Sequence, residues 1–207
     1  MTVPIPMSNA LLILLAATAV SPDVVGPDQE QSRQQPYGTV LSFDFEPDED
    51  REPDGLPDDW NRRRGPGFPS YVVCEIDEKH SHVGDQSLHV KVNGGKVAYY
   101  SPFNQKVAQI DPRFNYQFRG FIRTERLKHD YALFTVSFLN SRRQRIQRFE
   151  TRAVTGTHAE WVPLELGPLK PKPEVRYVVI GCHVDHLAND DINGDVWFDG
   201  LWLGKIL

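Results

Sequence analysis

Apolar side chains in this 207-residue chain recur at every second position, run after run, and never keep a helical spacing for three turns. A period of two is the signature of a half-buried strand, because successive strand side chains point to opposite faces. Leu41, Phe43 and Phe45 form one such row, and Val72, Cys74 and Ile76 another. Leu88, Val90 and Val92 follow, with His89 and Lys91 pointing away. Tyr116, Phe118, Gly120 and Ile122, then Ala132, Phe134, Val136 and Phe138, then Val178, Ile180, Cys182 and Val184 continue the series. The closing run sets Trp197, Asp199, Leu201 and Leu203 on one side against Phe198, Gly200 and Trp202. Turn dipeptides separate the runs, among them Asn93-Gly94, Asp111-Pro112, Asn140-Ser141 and Asn193-Gly194. Short strands with no helices between them predict an all-β antiparallel sandwich or barrel and exclude a parallel α/β fold. With GxxxxGK[ST] and GxGxxG both absent, nucleotide chemistry of the P-loop and Rossmann kinds is excluded as well.

Two segments precede this body. Ala10–Val20 is an uncharged run of eleven residues ending on Ala17-Thr18-Ala19. It is too short for a membrane span, which needs roughly 20 apolar residues, and has the length and A-x-A end of an export signal. Residues 1–19 are therefore expected to be a signal peptide, although no Lys or Arg precedes the apolar run. Residues 20–38 are polar, carry prolines and read as a linker, leaving 39–207 as the folded domain and no stable membrane span after cleavage. The two cysteines are too few for a disulfide-built miniprotein or a four-cysteine zinc site. Cys74 and Cys182 both fall on core parity, either as one disulfide or as two buried thiols.

Several motifs occur in an order that resembles the jelly-roll carbohydrate-binding modules attached to xylanases and cellulases, which are galactose-binding-like β-sandwiches. Phe43-Asp44-Phe45-Glu46 is similar to their first strand, and Gly55 to Trp60 to a G-x-P-x-x-W loop. His80 to Leu88 resembles an H-S-G-x-x-S-L turn with an insertion, and Tyr116 to Thr124 a Y-x-x-x-G-x-x-x-T strand. Trp161 after Gly156-Thr157, and the closing Val196 to Leu203, complete the set. The resemblance covers residues 39–206 and implies a two-sheet antiparallel β-sandwich, a jelly roll, that binds polysaccharide without catalysis. It also implies a structural Ca²⁺ tying the first strand to the last, with Glu46 and Asp199 as ligands and carbonyls of the His80–Gly84 turn helping. Asp44, on the same strand face as Glu46, is a further candidate ligand; calcium takes six to eight oxygens.

Sugar recognition needs aromatic faces and hydrogen-bonding side chains on outward strand positions. Arg119, Phe121, Arg123, Tyr177, His183 and Asp185 meet that requirement, with Tyr99, Tyr100 and Trp202 as further rings. The paired arginines favour an anionic polysaccharide. Neither His80-x-His82 nor His183-x-Asp185-His186 has catalytic zinc spacing, and no acid pair or GxSxG elbow points to hydrolysis. The alternative is a structural or interaction sandwich of the cell envelope with no glycan site. The overall charge of −5 divides unevenly. Residues 21–60 hold twelve acids against two arginines, whereas residues 61–207 carry a net +5. The basic runs Arg62–Arg64 and Arg142–Arg148 read as solvated loops or contacts for anionic glycans and lipid headgroups, with no nucleic acid expected.

Overall fold

A computed structural model describes residues 38–49, 60, 72–94, 99–100, 107–186 and 193–206. The signal peptide, most of the linker, Gly55–Asp59 and Arg62–Arg64 lie outside the described residues. Ten strands follow in order: β1 (Gly38–Phe43), β2 (Val72–Asp77), β3 (Ser87–Asn93), β4 (Tyr99–Tyr100), β5 (Ala108–Gln109), β6 (Asn115–Asn140), β7 (Arg145–Glu150), β8 (Val154–Leu169), β9 (Val175–His186) and β10 (Asn193–Ile206). A single 3₁₀ turn, Pro47–Glu49, is the one helical element among the described residues. No helix among them is long and apolar enough to cross a membrane.

The strands hydrogen-bond as one antiparallel sheet that curls on itself, and β6 is the strand that curls it. The first half of β6 pairs with β10 and the second half with β9. Between them the chain bends at Arg126, whose φ is 64°, with register shifts on both sides. The halves face each other across the core: Tyr116 lies 6.2 Å from Phe138 and Phe118 lies 5.1 Å from Phe134. One layer is thus β2, β3, β10, β1 and the start of β6; the other is β4, β5, β9, β7 and the end of β6. β8 runs beside β6 through both halves, from Leu169 opposite Tyr116 to Val154 opposite Ala132.

The period-two rows account for the core. Phe118, Ile122, Phe134, Val136, Phe138, Val178, Ile180, Leu88 and Val90 are fully buried, and Trp60 plugs one edge against Phe43 and Phe45 at 5.5 and 5.2 Å. Cys182 is buried in this core with Cys74 packed against it; burial, and then the nearby Cys74, push its thiol well above the usual range.

One sequence expectation needs correction. β10 does not keep one parity: Val196 and Phe198 face the core, and beyond Gly200 it is Leu201 and Leu203 that do. A bulge between Asp199 and Trp202 inserts the extra residue, with Gly200 at φ 56°, a conformation that costs glycine nothing. His89 does point away from the core, yet it is only 8% exposed, because the outer face of this layer carries its own aromatic cover.

Candidate functional site

The six outward residues expected to form one ligand site are divided by the fold among three places. Arg119, Phe121 and Arg123 project from the first half of β6, on the outside of one layer. His183 and Asp185 project from β9, on the outside of the other. Tyr177 stands on the same face of β9 but six residues from His183, roughly 20 Å along an extended strand.

On the first face the aromatic rings are already engaged by the protein. Trp197, 4% exposed, stacks parallel on His89 at 4.7 Å, with His80 at 4.8 Å and the Arg123 guanidinium at 5.6 Å. Its indole N–H donates to Asp77 Oδ2 at 2.6 Å. Phe121 lies against His82 at 3.7 Å, and Trp161, 5.8 Å from His82, donates its N–H to the Ser81 carbonyl at 3.1 Å. Trp202 donates to Thr39 Oγ1 at 3.0 Å and lies beneath Arg119, which also pairs with Glu165 at 3.2 Å. Rings and guanidinium groups on this face pack against one another.

The second face differs. Pairing sets Tyr131 opposite Asp185, Leu133 opposite His183, and Ser137 opposite Arg148. Thr135 lies between Gly181 on one side and Glu150 on the other. His183 Nε2 and Thr135 Oγ1 are 2.8 Å apart, across Gly181. A Cβ at Gly181 would stand 2.6 Å from the His183 ring and 2.7 Å from the Thr135 hydroxyl oxygen, so the bare glycine is what lets the two meet. Arg148 and Glu150 form an ion pair at 2.8 Å. Burial, then the carboxylates of Asp185 and Glu150, hold the Tyr131 hydroxyl above the usual range, with Arg148 opposing. His183 is 5% exposed and pushed down to about 3 by burial and then by Arg148, which keeps its ring neutral. A half-buried tyrosine edged by two carboxylates and an arginine, beside a buried threonine–imidazole pair on the same strands, offers one ring and several donors and acceptors on a rigid support. Tyr131, Glu150 and Thr135 were not among the ligand residues expected from sequence, and Arg148 was expected only within the basic run 142–148, read as a solvated loop or a contact for anionic glycans or lipid headgroups. Their signal was the parity of Ala132–Phe138, which puts Tyr131 and Thr135 outward, and the register of β7, which carries Arg148 onto the strand.

At the far edge of the first layer two of the expected metal residues, Glu46 and Asp199, meet one turn. Asp199, fully buried, accepts the backbone N–H groups of His82 (2.6 Å) and Val83 (2.9 Å) on Oδ2 and that of Gly200 (2.6 Å) on Oδ1. Glu46 Oε1 accepts those of Asp85 (2.7 Å) and Gln86 (3.2 Å). Carboxylates from both ends of the domain therefore brace residues 82–86 directly. Burial raises Asp199 to about 6 against these hydrogen bonds, and the charge of Asp44 adds to the rise. The donors fit calcium in kind, being hard oxygens. Among the described residues, however, no three His, Cys, Asp or Glu side chains are grouped to hold a metal by themselves. An ion there would draw its remaining oxygens from the turn's carbonyls.

No protein-family model matches the chain, and neither does any curated protein sequence. The fold is that of the jelly-roll sandwiches used by carbohydrate-binding modules, as the order of sequence motifs implied. In particular it matches the CBM22-1 xylan-binding domain from Paenibacillus barcinonensis Xyn10C, with a TM-score of 0.53 at 16% identity over 82% of this chain and 95% of that one. The C-terminal family 22 carbohydrate-binding module of Clostridium thermocellum Xyn10B matches at 0.51 and 15%, over 82% and 95%. The enzymatically active domain of tailspike protein 4 from bacteriophage CBA120 matches at 0.53 and 14%, with 72% of this chain on 20% of that one. At such identities the likeness is one of fold.

Proposed function

We propose that this chain is an exported, non-catalytic carbohydrate-binding module that takes a polysaccharide on the outer face of β9, β6 and β7. The observation that carries the reading is the group around Tyr131, with Asp185, Glu150 and Arg148 on adjoining strands and the ring half-buried. Such a group suits a sugar, whose C–H face stacks on a ring while its hydroxyls pair with fixed polar groups. Two carboxylates against one guanidinium favour a neutral polymer at this face; Arg119 and Arg123, on which an anionic preference rests, stand on the opposite layer. The xylan-binding modules that share the fold make xylan the first polymer to try. Native electrophoresis through gels containing soluble xylan should retard the protein. Tyr131→Ala and Asp185→Ala should each abolish the retardation, an effect of about 1–3 kcal/mol on binding. Undiminished mobility against a panel of neutral glycans would instead favour a structural or interaction sandwich of the cell envelope.

Calcium and export belong to the same reading. Asp44, Glu46 and Asp199 would hold the ion, supported by the hydrogen bonds of Glu46 and Asp199 to the 82–86 turn and by the charge of Asp44 felt at Asp199. The ion would neutralise those acids and tie the two ends of the domain. Thermal melting in calcium should exceed that in EGTA; an excess of 100 times Kd adds about 2.7 kcal/mol, and coincident melting curves would remove the ion. Export rests on residues 10–20, and the secreted protein should begin near Val20 when sequenced from its N-terminus.

A further inference from the structure

We propose that the end of the sandwich at which β6 starts and the β6–β7 hairpin turns is a second binding surface, for an acidic polysaccharide. Its grounds are independent of the Tyr131 face. Because β6 folds back with Tyr116 beside Phe138, its first and last residues share one end of the domain, and the loop from β8 to β9 arrives there too, Asn140 pairing with Val175. Residues 107–115, 139–147 and 169–177, which form this end, carry seven Lys and Arg against two acids.

The cations are exposed, and braced loops present them. In the hairpin, Asn140 Oδ1 accepts the backbone N–H groups of Arg142 (2.9 Å) and Gln144 (3.0 Å), and its carbonyl accepts that of Arg143 (2.9 Å). Gln147 clamps the neighbouring loop: its amide N–H donates to the Lys170 carbonyl at 3.2 Å and its oxygen accepts the Lys172 N–H at 2.8 Å. The Lys170 ammonium donates to the Arg113 carbonyl at 3.1 Å, and Arg176 NH1 to the Pro173 and Val175 carbonyls, each at 2.7 Å. Of the two acids, Asp111 is taken by Arg113 at 2.6 Å, and Glu174 is exposed. Holding side chains and loops in place beforehand lowers the entropy lost on binding a polyanion.

Between these loops lies a hollow of about 280 Å³ lined by Gln109, Ile110, Ser141, Arg176 and Tyr177. One ring, one guanidinium, one hydroxyl and one carboxamide match the parts of a single uronate unit: a C–H face, a carboxylate and hydroxyls. Two other polyanions fit less well. The exposed large apolar residues among those described, Val73 and Val83, are remote from these loops in sequence and lie on the β2 strand and the 82–86 turn, so the described residues of this end offer none to insert into a bilayer. Single-stranded nucleic acid is held by successive stacked rings; besides Tyr177 the ring in residues 107–115, 139–147 and 169–177 is Phe114, covered by the Lys205 ammonium at 4.9 Å.

The test uses the secreted chain, with polygalacturonate in native gels and trigalacturonate in calorimetry. The wild type should be retarded by polygalacturonate at low salt, and its affinity should fall as salt rises. Arg176→Gln with Tyr177→Ala should weaken trigalacturonate binding at least tenfold, and Lys170→Gln with Lys172→Gln should flatten the salt dependence. Xylan retardation should be unchanged in both double variants, whereas Tyr131→Ala should leave polygalacturonate binding intact, so that either site fails separately. Three results would each overturn the proposal: no retardation by polygalacturonate; trigalacturonate binding unaltered in Arg176→Gln/Tyr177→Ala; or tighter binding to phosphatidylglycerol vesicles or oligo-dT than to polygalacturonate. Circular dichroism melting confirms that the variants are folded.

Discussion

Phe134→Ala should lower the unfolding free energy by about 3–5 kcal/mol, the range for deleting a large ring from a packed core. Phe134 is fully buried and stands edge-on to Phe118 at 5.1 Å and to Phe198 at 5.4 Å. Those partners belong to the first half of β6 and to β10, whereas Phe134 belongs to the second half of β6. The ring therefore fills the space between the two layers where the curled sheet closes. Its removal leaves a cavity that only movement of whole strands would fill, and the hydrogen-bonded strands resist that. Urea titration followed by tryptophan fluorescence measures the loss. A change below 1 kcal/mol would mean that the layers do not meet at Phe134. Phe121→Ala serves as the control: Phe121 is half-buried on the outer face against His82, and its loss should cost visibly less.

The second large effect is on the acid side of the stability curve, where two buried groups oppose each other. His183 is held down to about 3, mainly by burial, against an ordinary value of 6.5. Below pH 6.5 the unfolded chain takes up a proton that the folded chain refuses, so stability is lost as pH falls, at about 1.4 kcal/mol per unit. Asp199 is raised to about 6 from 3.8, again mainly by burial. Between 3.8 and 6 the folded chain holds a proton that the unfolded chain has released, so stability from this group grows as pH falls, with the same slope. In EGTA the wild type should therefore be nearly level between about pH 4 and 6 with respect to these two groups. Asp199→Asn should uncover the His183 slope and lose about 3 kcal/mol across that window, and His183→Gln should gain about as much. Every other titrating group is common to the three proteins, so the differences isolate this pair. Parallel curves for all three would show that neither group is shielded as its burial implies.

The parity of the apolar rows made the strands legible in the sequence, since a residue's face on a strand follows from counting by two. Spacing alone places Ala132, Phe134, Val136 and Phe138 in the core, and all four are fully buried. Counting fails where the backbone adds a residue. Gly200 carries no mark in the one-letter sequence that separates a bulge from an ordinary strand glycine, and the error reached Trp197, Asp199, Leu201 and Leu203 together. Parity also cannot say which of two outward faces a residue joins. Arg119 and His183 are both outward, but they end on opposite layers because β6 turns over at Arg126 between the segments that position them.

By itself, then, the sequence determined the strand composition and the burial of most of the core, while the approach of Glu46 and Asp199 to one turn is what the family resemblance implied. These follow from local periodicity and from the motifs at the two ends of the domain. The tertiary structure alone decided which outward side chains share a surface. Tyr131 meets Asp185, Glu150 and Arg148 only through the pairing of three strands, and seven cations from three separate segments gather at one end only because β6 folds back on itself. Such meetings depend on contacts between residues distant in the chain, which local spacing does not encode.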